Sequence, residues 1–133
     1  MEFIHASQVN VDELTSFLTN NNQIDTMSLL QRGYVVKLGK TIIGCFQLNS
    51  IEQDVYWLKQ LYIIQDEIIK LPVLLELIIL FAKQQNAKFI YAHSEQPVTD
   101  LLLQSLSFSL QTNKIDLLHQ LHEKGQWWSY QVS

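Results

Sequence analysis

Between Gly33 and Ile63 the chain is written with a two-residue period, and from Leu71 it switches to a helical one. That switch constrains the fold more than any other feature. Three consecutive strand-like runs must pair as a meander, and the helix that follows must bury its apolar face on a sheet. Residues 34–38 and 41–48 are strand-like, and Gly39-Lys40 makes the turn between them. Residues 49–54 are polar and predict the next turn. Residues 55–63, rich in aromatic and branched side chains, predict a third strand. Residues 71–85 carry the strongest helical pattern. Pro72 suits the first turn. Leu71, Leu74, Leu75, Ile78 and Phe81 share one broad face, with Glu76 and Lys83 in the polar wedge.

Upstream, residues 1–8 predict a short first strand carrying Phe3 and Ile4. Asn10 is placed to cap a helix, and Glu13, three residues later, to reach back in a capping box. Val11, Leu14, Phe17 and Leu18 follow at helical spacing, and Asn20-Asn21-Asn22 ends the run. Residues 25–31 predict a second short helix. Downstream, residues 88–92 form a buried-type strand and residues 97–105 a helix. Two strands close the chain, one within 109–122 and one at 126–132. The order is β-α-α-β-β-β-α-β-α-β-β. It predicts a mixed α+β fold whose central, mostly antiparallel sheet is flanked by helices. There is no internal repeat or linker, so residues 1–133 are expected to form a single domain.

Composition narrows the function classes. Nine basic residues against 13 acidic give a net charge of −4, which does not suggest a nucleic-acid face. An apolar fraction of 47% argues against disorder. The longest greasy stretch, residues 71–82, is interrupted by Pro72 and Glu76 and is too short to span a bilayer, which needs about twenty residues. The opening residues 1–5 have no basic region, so a cytoplasmic protein without a secretory signal or membrane partner is expected. Cys45 is the only cysteine, which excludes an internal disulfide and a cysteine-based zinc site.

Few residues advertise chemistry. His119 and His122 lie three apart; on a strand they point to opposite faces, so no metal site is expected. Glu52 and Asp54 flank the turn before the third strand. They are candidate bases that could attract or deprotonate an amine, or they are solvated turn residues. His93 follows the fifth strand, either as a base beside a cleft or as a surface histidine. Cys45, beside Gly44 and Phe46, reads as a small buried residue. Trp128 and Tyr130 share one face of the last strand and Trp127 takes the other. Core packing explains one face; the second lines a cleft or a subunit contact.

The element order and several local phrases resemble the GCN5-related N-acetyltransferase (GNAT) superfamily over nearly the whole chain. Leu61-Tyr62-Ile63 looks like the end of its fourth strand. Leu75-Glu76 with Phe81-Ala82-Lys83 looks like its central helix, and Lys88-Phe89-Ile90-Tyr91 like its fifth strand. Leu106-Ser107-Phe108 stands where such proteins often read Leu-Gly-Phe. The resemblance implies an acetyltransferase-like fold and acetyl-CoA as cosubstrate. Its pantetheine arm would lie along Leu61, Tyr62 and Ile63, with Lys70 assisting at the phosphates. The family's phosphate loop needs small residues so that backbone N–H groups can approach the pyrophosphate. Here residues 64–72 contain no glycine but include Asp66, Glu67 and Pro72, so weak or absent acetyl-CoA binding is expected. A tyrosine that protonates the departing thiolate in many family members corresponds to Leu103, which cannot donate.

Two functions follow. The first is acyl-CoA-dependent N-acyltransfer to a small-molecule or protein amine, with Glu52, Asp54 or His93 as base. The alternative is a catalytically silent acetyltransferase-like module for binding or regulation. Val73 and Leu80 widen the apolar arc of the central helix toward solvent, so a homodimer is expected unless other parts of the chain cover them.

Overall fold

Asn10 caps helix α1 (Val11–Thr19), its Oδ1 accepting the N–H groups of Asp12 at 2.9 Å and Glu13 at 3.2 Å. The other half of the expected capping box does not form. The Glu13 carboxylate lies instead 2.7 Å from Lys37 Nζ, a full cation that is a stronger partner than a neutral backbone donor. Asp25 caps α2 (Thr26–Arg32) by accepting the N–H of Ser28 at 3.2 Å.

The computed structural model describes residues 1–111 and 124–132. Among them, the strands are β1 (Glu2–His5), β2 (Gly33–Leu38), β3 (Thr41–Glu52), β4 (Val55–Ile63), β5 (Phe89–Ser94), β6 (Ser109–Leu110) and β7 (Gln126–Gln131). The remaining helices are α3 (Leu71–Gln84) and α4 (Pro97–Ser105), and 3-10 turns occupy Ala6–Gln8 and Gln65–Lys70. The strands form one sheet in the order β1-β2-β3-β4-β5-β7-β6. The fold is mixed α+β, with the element order that the sequence predicts. Two readings need correcting. Strand β3 continues to Glu52 through residues expected to turn, and the loop after β4 is a 3-10 helix.

The chain divides into two compact units. The first comprises Met1–Asn49 and Leu58–Leu74. Its core joins Ala6, Leu14, Phe17 and Leu29 to Val35 and Cys45, with Ile42, Tyr62 and Ile64 packed against them. The β2–β3 ladder is antiparallel, pairing Val35 with Cys45 and Val36 with Gly44, then shifting at Val36/Lys37. Phe46 is fully buried, with Phe3 edge-on at 4.8 Å and Tyr34 stacked at 5.4 Å.

The second unit comprises Ser50–Trp57 and Leu75–Ser133. Strands β5 and β7 pair antiparallel, setting Tyr91 opposite Ser129, Ala92 opposite Trp128 and His93 opposite Trp127. Burial alternates along β5. Ile90, Ala92 and Ser94 are buried, whereas Phe89 is exposed and Tyr91 and His93 are half-buried. Trp128 belongs to the covered face, where its Nε1–H donates to Asp100 of α4 at 2.8 Å.

Candidate functional site

Strand β4 carries a left-handed residue three positions before its end. Gln60 has φ 51°, a left-handed conformation that a strand residue adopts only where tertiary contacts hold it. Those contacts are visible. The Gln60 carbonyl accepts from Cys45 Sγ at 3.7 Å, and its Oε1 accepts the Asp25 N–H at 2.8 Å, tying the distortion to the cap of α2. The next residues are Leu61, Tyr62 and Ile63, expected to carry a pantetheine arm. The Tyr62 hydroxyl donates to Asn21 Oδ1, and Asn21 Nδ2 donates to the Phe17 carbonyl at 2.7 Å. Gly44 permits the close approach of this strand, since a Cβ there would sit 2.3 Å from the Tyr62 carbonyl oxygen. A groove of about 610 Å³ runs beside this strand end, lined by Glu13, Phe17, Asn21, Lys40, Tyr62 and Asp66 among others.

Deeper in the same unit, Gln47 is fully buried. Its Oε1 accepts from Ser28 Oγ at 2.9 Å, while its Nε2 has no hydrogen-bond partner among the described residues.

Beyond β4 the 3-10 turn Gln65–Lys70 carries Asp66 and Glu67 in its first turn. Lys70, the expected phosphate ligand, is ion-paired with Glu67 three residues earlier. Ile69 is 84% exposed. The turn fits a pyrophosphate poorly: its lysine is already neutralised, two carboxylates stand beside it, and every residue carries a Cβ.

The three candidate bases lie in the second unit in different settings. Asp54 has φ 63°, and its carbonyl accepts the N–H groups of Lys88 at 2.7 Å and Phe89 at 3.3 Å. Its carboxylate is 3.8 Å from Lys88 Nζ, so it clasps the start of β5. His93 lies on β5 itself, with Nε2–H donating to the Lys124 carbonyl and its ring 5.0 Å from that of Trp127. Glu52, at the end of β3, acts on Tyr91 through its charge. Burial first, and then this carboxylate, raise the Tyr91 phenol above its ordinary range, so the phenol stays protonated at neutral pH. Tyr91 is not a residue that the sequence alone singles out. Its two-residue spacing from His93 is the signal that places both on one face of β5.

No family model and no curated protein matches the chain. Solved structures do. An N-acetyltransferase from Staphylococcus aureus Mu50 superposes with a TM-score of 0.73 at 13% identity, over 98% of this chain and 97% of that one. The N-acetyltransferase PseH of Campylobacter jejuni, in complex with acetyl coenzyme A, gives 0.68 at 14% identity, over 99% of both chains. This chain has the fold of the GNAT acetyltransferases. N-acetylglutamate synthase from Neisseria gonorrhoeae, complexed with coenzyme A and N-acetyl-glutamate, gives 0.73 at 10% identity, over 99% of this chain and 35% of that one.

Within this acetyltransferase-like fold, the Leu106-Ser107-Phe108 phrase acquires a physical meaning. Ser107 has φ 70°, the conformation that favours glycine. Leu103, at the position of the missing tyrosine, is buried. No cluster of three or more His, Cys, Asp or Glu side chains among the described residues could hold a metal ion, and His119 and His122 lie outside those residues. Among the described residues no helix is long and apolar enough to cross a membrane.

Proposed function

We propose that this chain is an N-acyltransferase that moves an acyl group from a coenzyme A thioester to an amine. The observation that carries this reading is the agreement of the fold with acetyltransferase structures, end to end with PseH in complex with acetyl coenzyme A. It is joined to the left-handed conformation of Gln60, just before Leu61 in β4. When bound, the coenzyme supplies the acyl group as a thioester. Backbone groups of Leu61, Tyr62 and Ile63 would hold the pantetheine amides, and Lys70 would supply a positive charge to the phosphates if freed from Glu67. Glu52 is the base. It takes the proton that the amine nitrogen sheds as the N–C bond forms and the C–S bond breaks; the departing thiolate is protonated from solvent. Asp54 is set aside by its ion pair with Lys88.

The pairing of Glu67 with Lys70 favours a second reading, in which the fold binds or regulates without turnover. One titration series separates the two. Acetyl-CoA, followed by calorimetry, is expected to bind with a Kd weaker than about 100 μM, above roughly −5.5 kcal/mol. Glu67→Gln, which frees Lys70 and removes a repelling carboxylate, is expected to tighten it several-fold. Release of free thiol in the presence of amines, lost in Glu52→Gln, supports the transferase. Binding without thiol release from any amine supports the silent module. A low-micromolar Kd for the native chain would contradict the account of the phosphate turn.

A further inference from the structure

The turn between β4 and α3 is closed to an anion by its backbone as well as by its side chains. A phosphate is held at the start of a helix by backbone N–H groups that have no partner within it. Helix α3 starts differently. It is entered directly from the 3-10 turn Gln65–Lys70, whose bonds run from an N–H to the carbonyl three residues back. The N–H of Glu67 donates to the Ile64 carbonyl at 3.0 Å, and that of Leu71, the first residue of α3, to the Ile68 carbonyl. The next residue, Pro72, has no N–H. The donors at this entry are thus engaged before any ligand arrives. Side chains do not replace them. Residues 64–73 hold one cation, Lys70, which pairs with Glu67, and a second carboxylate, Asp66, is exposed. What the turn presents to solvent is otherwise aliphatic: Ile68 is 45% exposed, Ile69 84% and Val73 51%. Aliphatic surface gives nothing back to a diphosphate that loses its hydration.

We propose that this chain reads its acyl donor as a pantetheine thioester and not as a nucleotide. The uncharged arm carries the affinity, and the adenosine 3′-phosphate 5′-diphosphate of coenzyme A adds none. The place of the arm along Leu61, Tyr62 and Ile63 rests on the proposed transferase reading. The donor class widens from coenzyme A thioesters to thioesters of pantetheine in general. The nucleotide stays in solvent, because Asp66 and Glu67 oppose its approach. In a site built to hold the diphosphate, removing it leaves buried donors unmatched and costs affinity. Here the donors are already matched within the turn.

The test is an amide NMR titration of the full chain, which follows weak binding directly. S-acetyl-pantetheine and acetyl-CoA are expected to saturate with Kd values within about threefold of one another. The nucleotide alone, adenosine 3′-phosphate 5′-diphosphate, should give no saturable shift up to about 10 mM. Glu67→Gln, which frees Lys70, should tighten acetyl-CoA several-fold and leave S-acetyl-pantetheine within about twofold of its native Kd. The same spectra show whether the variant is folded; should it not be, the native comparison still decides. Acetyl-CoA binding about tenfold or more tighter than S-acetyl-pantetheine overturns the proposal and leaves the transferase reading standing. Saturation by neither thioester at about 10 mM overturns both. Equal tightening of the two ligands by Glu67→Gln also overturns the proposal, since the carboxylate would then act on the arm and not on the phosphates. Matched affinities support it whether or not amines bring about thiol release; a lack of release removes the transferase alone.

Discussion

Cys45 illustrates how one side chain is governed by its neighbourhood. It is fully buried in the first unit, pairs across the ladder with Val35 and donates to the Gln60 carbonyl. Burial pushes its thiol up to about 12 from an ordinary 9.0, so it is no nucleophile at neutral pH. Below pH 9 the folded and unfolded chains both keep the proton, and the stabilisation is complete. Between 9.0 and about 12 the unfolded chain releases the proton while the folded chain retains it, so stability falls as pH rises through that window. The slope from this group reaches about 1.4 kcal/mol per pH unit. Urea denaturation of the native chain and Cys45→Ala at a series of pH values measures it. Their stability difference should be constant below pH 9 and shrink above it; parallel curves would refute the assignment. Other single residues escaped the sequence for a physical reason. Tyr91 acquires its character from burial and then from the charge of Glu52, a residue 39 positions away, and Gln47 is an ordinary strand residue until Ser28 comes to meet it.

Elements were more legible than residues, because their signals are local. The glycine turn at Gly39, the asparagine cap of α1, the proline start of α4 and the period change at Leu71 all act within a few positions, and all formed as expected. The failures arose where a distant partner competes. Glu13 turned from its own helix to Lys37, and β3 ran on to Glu52 because polar side chains do not prevent a backbone from pairing. The left-handed conformation of Gln60 had no signal, since its side chain is an ordinary one and the contact with Asp25 holds it. The end of α4 lies between these cases. The N–H of Phe108 donates to the Leu103 carbonyl at 3.0 Å and that of Ser107 to Gln104 at 3.1 Å, an arrangement that closes a helix with one left-handed residue. That residue is Ser107, at φ 70°. Ser107→Gly is therefore expected to stabilise the chain by about 0.5–1 kcal/mol, against the entropy glycine adds to the unfolded state. Thermal denaturation reads the change; an unaltered or lower midpoint would mean that Ser107 bears no strain.

For the whole molecule, the open question posed by the sequence is association. On α3, Leu74, Leu75, Ile78 and Ala82 are buried, yet Val73 and Leu80 remain 51% and 52% exposed. The two exposed side chains are seven positions apart, two helical turns, and so share one face of α3. Ile69, just before the helix, is 84% exposed. We propose that this face mediates a two-fold dimer, since a two-fold axis lets one apolar stripe cover its own copy. A stable interface buries about 1,200 Å² or more, which a few aliphatic side chains on one helix do not supply alone. The association should therefore be weak and concentration-dependent. Light scattering coupled to size exclusion is expected to give a mass that climbs from the 15.5 kDa of one chain toward twice that value as concentration increases. Leu80→Glu places a charge in the middle of the stripe and should hold the chain at 15.5 kDa without lowering its thermal midpoint, because this side chain has little burial to lose within its own fold. A native mass fixed at 15.5 kDa across the range would remove the dimer. A dimer untouched by Leu80→Glu would move the contact off α3.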